Sequence, residues 1–558
     1  MNETSKKVLK WVGIYAALSL IAFIAYYIVL PPIHLQSTAF WGFLTFLILL
    51  YTLPLSGLRV NAEVLKKGEF KLRGAKRSKK ARCMLLAVLP IAVIAIGGII
   101  SSTFFFARSY AAVIDVKEAV FSEDMPETEN VTNIALMDSD TAAIVGNRTL
   151  GSLSDVVSQF EIAPSYTQIN YRRTPKKVAN LEYADVFKWL GNRKTGIPGY
   201  VMVDPVNNTA EYKKLGAPIR YAESGFFGDD LMRALRFKYP TKIMDAARFE
   251  IDDEGKPFYV VPCYTPKVAL FGAKDVSEVI LFDPTNGEST IYAVSETPSW
   301  IDIVYDGYLA TEKYNWKGTL SGGFFNSIIG NKDCKQTTDD FGYIVIGDDV
   351  WYFTGVTSVN GDLSNIGFII SNARTGEYKF YSVNGAEEHS AMSAAEGEVQ
   401  EKNYVASFPA LINVRGEATY IMVLKDQGGL VKLYAMVNVE QYHLVATGET
   451  QEEAKAAYLA RLTEQGVLKP EEPVSPPADE TVTRTVNIER ITPVVTGGET
   501  YLYLTGKVDV SNEKIILRAK VTDDERILFL AAGETVSFTL TETDTTAVYD
   551  VVSFVLPE

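Results

Sequence analysis

The sequence predicts a membrane-anchored α+β protein, in which three N-terminal transmembrane helices carry a β-rich outer domain. Three observations lead to this fold class. The first 106 residues contain three uncharged apolar runs, one loop between them is strongly basic, and the rest of the chain repeats pairs of short apolar strands joined by polar turns. With 558 residues, 47% hydrophobic and 22% charged, the chain is long enough for roughly three or four folding units.

The apolar runs are Trp11–Leu30, Ala39–Leu55 and Met84–Phe106. A run of about 20 residues spans about 30 Å as a helix, which is the thickness of the hydrocarbon core. A cleaved signal peptide is the alternative for the first run, but Pro31 and Pro32 follow it in place of a small-residue cleavage site. Because no span holds an acidic or basic residue, we interpret residues 1–106 as an anchor and not as a pore.

Basic residues predict the orientation of these spans. Segment 57–82 holds ten Lys and Arg residues, whereas the loop Pro31–Thr38 holds none. The positive-inside rule places the N-terminus and this loop in the cytoplasm, and residues 107–558 outside a multi-pass cell membrane. The candidates for topology or lipid contact are Lys71, Arg73, Lys76, Arg77, Lys79, Lys80 and Arg82. Binding of anionic lipid by this loop is one interpretation, and a role in topology alone is the other.

Beyond residue 106 the pattern predicts β-hairpins. Each is an apolar strand, a turn rich in Asp, Asn, Pro or Gly, and a second strand, because these residues adopt turn geometry readily. The four clearest pair Tyr200–Val203 with Thr209–Tyr212, Val279–Phe282 with Ser289–Val294, Gly367–Ile370 with Tyr378–Val383, and Tyr420–Leu424 with Leu430–Val437.

These patterns divide the outer part into four regions. We expect a β-rich region at 107–228, α+β units of helix plus hairpin at 229–448, a helix and proline-rich linker at 449–482, and a small β-barrel at 483–558. The barrel is expected to be of the oligonucleotide/oligosaccharide-binding (OB) or SH3-like kind. Its predicted strands are Thr483–Ile491, Thr500–Gly506, Lys514–Val521, Ile527–Ala531, Thr535–Thr541 and Ala547–Val555.

One stretch resembles the PepSY family of small exported domains. The resemblance covers roughly residues 229–294, and more loosely 386–440. The residues that carry it are Tyr239-Pro240, the turn Asp253–Gly255, the strand Phe258–Val261 and the segment Val279–Gly287. The resemblance implies an extracytoplasmic regulatory role, including restraint of secreted peptidases.

Residue chemistry narrows the function classes. The net charge of −14 includes the basic loop, so the remainder is strongly acidic and nucleic acid is excluded as a partner. Only three histidines occur, and the sequence contains no zinc, P-loop or nucleophile-elbow motif. We therefore assign no catalytic, cofactor-binding or metal-binding residue. For Cys263 and Cys334 we expect two buried thiols, with a single disulfide as the alternative.

Two groups of residues were weighed as sites. The acidic pairs are Asp229-Asp230, Asp252-Asp253, Asp339-Asp340 and Asp348-Asp349. Each adjoins a predicted turn or helix start, so backbone capping is favoured over glycosidase chemistry. The densest aromatic region is the second group and a candidate binding surface, with core packing as the commoner alternative: Trp300, Tyr314, Trp316, Phe324 and Phe325.

The sequence therefore favours a non-enzymatic bacterial cell-envelope protein. Its partners are expected to be the lipid bilayer and either another envelope protein or a wall polymer. Two alternatives stay open: a PepSY-like regulator of secreted or membrane peptidases, and a carbohydrate-active enzyme of the cell wall.

Overall fold

The structure is a computed structural model that describes residues 3–55, 85–128, 130–131, 134–359, 364–469, 481–496, 499–509, 511, 513–522, 524–542 and 548–555. The chain forms two compact units, 1–464 and 465–558. The α-helices are α1 Glu3–Val29, α2 Thr38–Thr52, α3 Val88–Ile100, α4 Thr103–Ala111, α5 Phe121–Asp124, α6 Ser139–Gly151, α7 Ser154–Val157, α8 Val186–Asn192, α9 Leu231–Lys238, α10 Gly307–Leu320, α11 Glu388–Glu398 and α12 Gln451–Glu464.

The strands of the larger unit are β1 Val116–Ala119, β2 Phe160–Ile162, β3 Thr167–Tyr171, β4 Thr174–Tyr183, β5 Ile197–Asp204, β6 Thr209–Ile219, β7 Ile243–Met244, β8 Arg248–Ile251, β9 Pro257–Val268, β10 Gly272–Phe282, β11 Ser289–Ala293, β12 Lys335–Thr337, β13 Gly342–Ile346, β14 Asp349–Ser358, β15 Ser364–Asn365, β16 Gly367–Asn372, β17 Tyr378–Tyr381, β18 Gly385–Ala386, β19 Val405–Ala406, β20 Ala410–Val414, β21 Glu417–Lys425, β22 Val431–Asn438 and β23 Val445–Gly448. The prediction of a mixed, mostly β-rich fold is confirmed.

The apolar N-terminal helices differ in whether their length and hydropathy suit a membrane span. Within the described residues, Ser5–Val29 is the one straight helix with the length and hydropathy of a span. Helix α2 is apolar but shorter, and Leu85–Ile100 qualifies only together with Thr103–Ala111, from which it is bent by 57°. Three separate transmembrane helices are therefore not supported; the structure supports one apolar N-terminal helix of spanning length, which is a membrane span or a signal sequence.

The bend interrupts the run that the sequence predicts as one helix, Met84–Phe106. It lies at Ser101, whose side-chain oxygen accepts hydrogen bonds from the backbone N–H groups of Leu270 (3.1 Å) and Phe271 (3.0 Å). The Tyr110 hydroxyl donates to the Ser101 carbonyl at 2.6 Å. The tip of the β9–β10 hairpin thus occupies the bend, so the interruption comes from a tertiary contact that apolar composition does not reveal.

Four larger sheets and the two-stranded antiparallel pair β15–β18 build the larger unit. The first sheet has the order β2-β4-β5-β6 with β3 on β4, and the second has β11-β10-β9-β7 with β8 on β9. The third sheet, β1-β17-β16-β14-β12 with β13 on β14, is antiparallel except for the parallel β1–β17 pair. The fourth has the order β19-β21-β22-β23 with β20 on β21. The first two sheets share one hydrophobic core, and the third and fourth share another.

All four predicted hairpins are confirmed as antiparallel pairs: β5–β6, β10–β11, β16–β17 and β21–β22. Their turns use the expected chemistry. The Asp204 carboxylate accepts from the N–H groups of Val206 and Asn207, each at 3.0 Å. Asp283 accepts from Thr285 N–H at 2.8 Å, and Gly287 takes the positive φ of +79° that closes that turn. Such local bonds explain why turn composition alone located these hairpins.

The smaller unit contains a closed five-stranded barrel. Its strands are β24 Thr481–Thr496, β25 Glu499–Val508, β26 Lys514–Lys520, β27 Thr535–Glu542 and β28 Val548–Val555, in the order β24-β25-β26-β28-β27. The predicted barrel is confirmed at this level. The strand predicted at Ile527–Ala531 is wrong, because Glu525–Phe529 forms a 3₁₀ helix that starts where the Asp524 carboxylate accepts from Arg526 N–H at 3.0 Å.

Candidate functional site

A cavity of about 280 Å³ lies in the larger unit. We call it the tyrosine cavity. It is lined by, among others, Tyr166, Gln168, Arg248, Tyr259, Tyr343 and Tyr352. These side chains come from β3 and the loop before it, from β8 and β9 of the second sheet, and from β13 and β14 of the third sheet. The cavity therefore lies where the first three sheets meet.

The feature that sets this cavity apart is a group of buried polar atoms without partners. The hydroxyls of Tyr166 and Tyr259, the Gln168 side-chain nitrogen and one terminal nitrogen of Arg248 make no hydrogen bond to any described protein atom. Gln168 is 4% exposed and Tyr259 is 2% exposed. Buried polar groups in folded proteins are nearly always paired, because an unpaired one costs about 1–3 kcal/mol. Four of the residues that line this cavity each hold such an atom.

The two tyrosine hydroxyls are held as neutral donors and acceptors. Burial raises the pKa of Tyr166 to about 12, and burial also raises the pKa of Tyr259. Helix α6 fixes the position of Tyr166, since a Cβ at Gly146 would lie 2.2 Å from its hydroxyl oxygen. Each phenol can therefore both donate to and accept from a ligand hydroxyl.

Arg248 supplies a donor but little net charge. Its guanidinium lies 3.0 Å from the Asp245 carboxylate and 3.5 Å from the Asp306 carboxylate. Burial acts to lower the pKa of Arg248, but these two carboxylates outweigh it and raise that pKa above the ordinary value. Because both neighbours are acidic, the guanidinium remains charged and is locally neutralised. A neutral, oxygen-rich ligand fits this arrangement better than an anion does.

Aromatic rings form a wall of the cavity. Phe341 contacts Tyr308, Tyr343 and Tyr352, with ring-centroid distances of 5.2, 6.1 and 5.4 Å. Gly307 permits the close approach of Phe341, because a Cβ there would lie 2.3 Å from the ring. Tyr308 is exposed, whereas Tyr352 is buried and donates to the Tyr305 carbonyl at 2.9 Å. The lining thus combines aromatic rings with hydrogen-bonding groups, as ligand pockets commonly do.

Two neighbouring cavities, of about 290 Å³ and 390 Å³, also have Gln168 and Tyr343 in their linings. The smaller of the two contains Lys177, whose ammonium lies 5.6 Å from the Tyr343 ring centroid. Burial lowers the pKa of Lys177 to about 8, although the charge of Asp138 acts in the opposite direction. Gln168 and Tyr343 therefore line both the tyrosine cavity and a second cavity that contains the titratable amine of Lys177.

A buried pair of carboxylates, Glu250 and Asp302, holds together the elements that carry two of the cavity residues. The Glu250 carboxylate accepts from the N–H groups of Asp302 (2.9 Å) and Ile303 (3.0 Å), and Asp302 accepts from Asn170 N–H at 2.7 Å. Burial raises the pKa of both acids, and their mutual repulsion raises that of Asp302 further. These bonds fix the loop before α10 against β3 and β8, the elements that carry Gln168 and Arg248.

The aromatic residues predicted as a binding surface are brought together only in part. Trp300 stacks on Phe258 at 5.2 Å, and Trp316 meets Tyr110 edge-on at 5.1 Å. Tyr314 is buried in the core beside the third sheet. Phe324 and Phe325 contact Phe104 of α4, and Phe325 is exposed. Trp316 and Phe324 pack in one cluster, which Phe325 joins through its ring contact with Phe324, whereas Trp300 and Tyr314 lie in two others; the tyrosine cavity contains none of the five.

The acidic pairs mostly serve the backbone, as capping predicts. Asp230 accepts from Arg233 N–H at 2.7 Å at the start of α9, and Asp252 accepts from Lys256 N–H at 2.8 Å in a turn. Asp349 instead pairs with Arg374 at 2.7 Å. Both Cys263 and Cys334 are free and buried. The predicted topology and lipid-contact residues of the basic loop, Lys71, Arg73, Lys76, Arg77, Lys79, Lys80 and Arg82, lie outside the described residues.

The cavity residues escape sequence analysis because they belong to no motif. They lie at 166–168, 248–259, 306–308 and 341–352, and only the tertiary fold brings these segments together. The one local signal is in β13, where exposed Tyr343 alternates with more buried neighbours along the strand.

Comparison with known proteins identifies no family. No protein-family model matches the chain, and no curated protein matches it. Among solved structures, a mutant levansucrase of B. megaterium aligns with 81% of this chain and 97% of its own, at 9% sequence identity and a TM-score of 0.16. A likeness at that level carries no argument about fold or function.

Proposed function

We propose that this chain is a non-enzymatic, membrane-anchored binding protein of the bacterial cell envelope. Its N-terminal helices hold it in the cell membrane with residues 107–558 outside, and the tyrosine cavity binds one sugar ring of a wall polymer. The observation that carries the proposal is that four residues lining one cavity, beside its aromatic wall, each hold a buried polar atom without a described partner.

The size and chemistry of the cavity support a sugar ring. A ring with hydroxyls around its edge offers both donors and acceptors to Tyr166, Tyr259, Gln168 and Arg248, and an apolar face to the aromatic wall. The volume of about 280 Å³ suits a single ring rather than a long oligomer. A neutral sugar also agrees with the local neutralisation of Arg248.

The state of Asp306 supports binding over turnover. Its carboxylate accepts from Leu309 N–H at 2.8 Å at the start of α10 and lies 3.5 Å from Arg248. The Tyr264 hydroxyl also donates to it at 3.3 Å. These three partners give the carboxylate a structural role at the start of α10, which is why we favour binding over turnover.

The membrane assignment of the proposal rests on the apolar helices and the charge pattern. Helix α1 has the length of a span, and α2 and the bent pair α3–α4 are apolar. Together with the basic segment 57–82, these observations support a membrane anchor with residues 107–558 outside.

The test is sugar binding by the full-length protein in detergent or nanodiscs. Glucose and N-acetylglucosamine, each as monomer and short oligomer, are added during thermal unfolding, because a ligand that binds the folded state raises Tm. One sugar is expected to raise Tm, and calorimetry then gives its Kd. If no sugar shifts Tm at millimolar concentration, the proposal fails; release of cleaved sugar would replace it with the enzyme alternative.

The double variant Tyr166→Phe and Tyr259→Phe sharpens the test. It removes only the two hydroxyls and is expected to weaken the affinity about tenfold or more, since each hydrogen bond contributes about 1 kcal/mol. The matched control is Tyr458→Phe, a buried tyrosine in contact with the fourth sheet, for which an unchanged Kd is expected. Equal affinity of the double variant and the parent would contradict the cavity as the site.

Restraint of a peptidase, which the PepSY resemblance implies, is a second candidate. One observation favours it: the stretch that carries the resemblance contains helix α9 followed by the antiparallel strands of the second sheet. Copurification of an envelope peptidase whose activity falls when the full-length protein is added would support this candidate, and unaffected peptidase activity would remove it.

A further inference from the structure

Two apolar patches on the larger unit are exposed where the apolar helices join it. The first patch is Phe104, Phe105, Phe325, Ile328 and Ile329. Phe325 is 68% exposed and Ile329 is 80% exposed, although both belong to an ordered segment. That segment is a π-helix, Asn326–Gly330, closed by a 2.7 Å hydrogen bond from Asn331 N–H to the Asn326 carbonyl. The fold thus holds large apolar side chains outward, which is costly unless they are covered.

The first patch is continuous with helix α4, which follows the bend after α3. The Phe104 ring meets the rings of Phe324 at 5.0 Å and Phe325 at 6.1 Å, both edge-on. Phe104 and Phe105 are themselves exposed. Below them, Tyr110 and Trp316 pack edge-on at 5.1 Å and fix α4 to α10. The patch therefore begins at the end of an apolar helix and is rigidly attached to the domain.

The second patch is Val186, Phe187, Leu190 and Phe227, and it adjoins the end of α1. Phe187 is 78% exposed at the start of α8. Trp189 of the same helix lies 5.8 Å from the Phe227 ring, and Arg233 donates to the Phe227 carbonyl at 2.8 Å.

Arg233 connects this patch directly to the first helix. Its guanidinium lies 4.2 Å from the Tyr27 ring centroid and donates to the Tyr27 carbonyl at 3.2 Å. Phe237 contacts the rings of Tyr26 and Tyr27, each at 5.9 Å. The first patch thus follows the end of α3 along the chain. The second patch is linked to the end of α1 through Arg233.

We propose that both patches insert into the outer leaflet of the lipid bilayer and hold the larger unit against the membrane surface. This inference rests on the membrane anchoring in the proposed function and is independent of the sugar site. If α1 and α3 cross the bilayer, their domain-proximal ends lie at the headgroup level, where aromatic and aliphatic side chains are stabilised by shallow burial of about 5–10 Å. Exposed Arg193 and Lys194 border the second patch and suit anionic headgroups.

The test measures lipid contact at single positions of the full-length protein. Cys83→Ser removes one native thiol, and Cys263 and Cys334 are buried. An environment-sensitive fluorophore is attached at Ile329→Cys or Phe187→Cys in vesicles of phosphatidylcholine and phosphatidylglycerol. Spin-labelled lipids with the quencher near the top of the acyl chain are expected to quench both labels more strongly than lipids with the quencher near the chain end.

Two control positions separate this inference from the membrane anchor. A label at Ile21→Cys, an exposed position within α1, tests the anchor itself and is expected to be quenched most by the deep quencher. A label at Tyr442→Cys, an exposed position after β22, is expected to remain unquenched. A Tm equal to that of the parent confirms that each variant is folded.

Each of three outcomes would overturn either the insertion of the patches or the membrane anchor. A quenched Ile21 label with unquenched Ile329 and Phe187 labels keeps the anchor and overturns the insertion of the patches. Labels at Ile329 and Phe187 that are shielded from water but not quenched by lipid show a protein partner or second copy in place of the bilayer, and also overturn it. An unquenched Ile21 label removes the anchor in the proposed function.

Discussion

Buried tyrosine hydroxyls meet opposite surroundings in two parts of the larger unit. At Tyr458, between α12 and the fourth sheet, the hydroxyl lies 2.9 Å from the Thr419 hydroxyl and 3.2 Å from the Asn438 side-chain nitrogen. At Tyr166 and Tyr259, around the tyrosine cavity, no described protein atom is a partner. All of these tyrosines have a pKa raised by burial, so desolvation affects both places.

The difference separates the Tyr458 surroundings, which contribute to stability, from the tyrosine cavity, which we propose binds a ligand. The Tyr458 surroundings are internally complete, so their polar atoms favour the folded state without help. The cavity leaves polar atoms unpaired, and such atoms lower stability until something binds them. Local destabilisation of this kind is typical of sites that are formed for a ligand.

The largest expected effect concerns Glu388, a buried acid whose carboxylate is hydrogen-bonded, and it appears in the pH dependence of stability. Burial raises the pKa of Glu388 from its ordinary 4.5 to about 7, although Gly355 N–H and the Thr338 hydroxyl donate to its carboxylate at 2.6 and 3.0 Å. Between these pH values the folded state binds a proton that the unfolded state has released, so stability falls as pH rises. From pH 4.5 to 7, the free energy of unfolding of Glu388→Gln minus that of the parent is expected to increase by about 3 kcal/mol.

Urea unfolding at several pH values measures this difference, because the midpoint and slope give the free energy at each pH. If the curves of Glu388→Gln and the parent stay parallel from pH 4.5 to 7, then Glu388 does not retain a proton in the folded state. That result would show that hydrogen bonds compensate its burial fully.

A smaller effect is expected at Tyr458. Tyr458→Phe leaves Thr419 and Asn438 each without one hydrogen-bond partner and should lower the free energy of unfolding by about 1 kcal/mol. Urea unfolding of the full chain, followed by tyrosine and tryptophan fluorescence, measures it. A neutral result would mean that the two regions do not differ in the way proposed.

The smallest effect is expected at the cavity. Tyr259→Phe removes a buried hydroxyl that has no described partner, so the ligand-free protein is expected to lose no stability and to gain up to about 1 kcal/mol. The same unfolding experiment without sugar provides the measurement. Destabilisation of Tyr259→Phe equal to that of Tyr458→Phe would indicate that the Tyr259 hydroxyl is already satisfied in the folded protein.

Sequence reasoning was most successful where structure is local. The hairpin turns at Asp204 and Asp283 form through bonds to residues two or three positions away, so composition within a few residues located them. The barrel followed from alternating short strands, but Ile527 was placed in a strand because the cap at Asp524 was not recognised. Apolar length predicted a continuous third helix, whereas a hairpin tip from residues 270–271 occupies the bend at Ser101.

By itself, the sequence determined the apolar N-terminal region, the β-rich part that follows it, the four hairpins and the C-terminal barrel, because hydrophobic periodicity and turn chemistry act over a few residues. Only the tertiary structure decided that Tyr314 is core, that Phe325 is exposed, and that Tyr166, Arg248 and Tyr343 line one cavity. The physical reason is that burial and unpaired hydrogen-bonding capacity depend on segments more than a hundred residues apart, whose meeting is set by how the sheets pack.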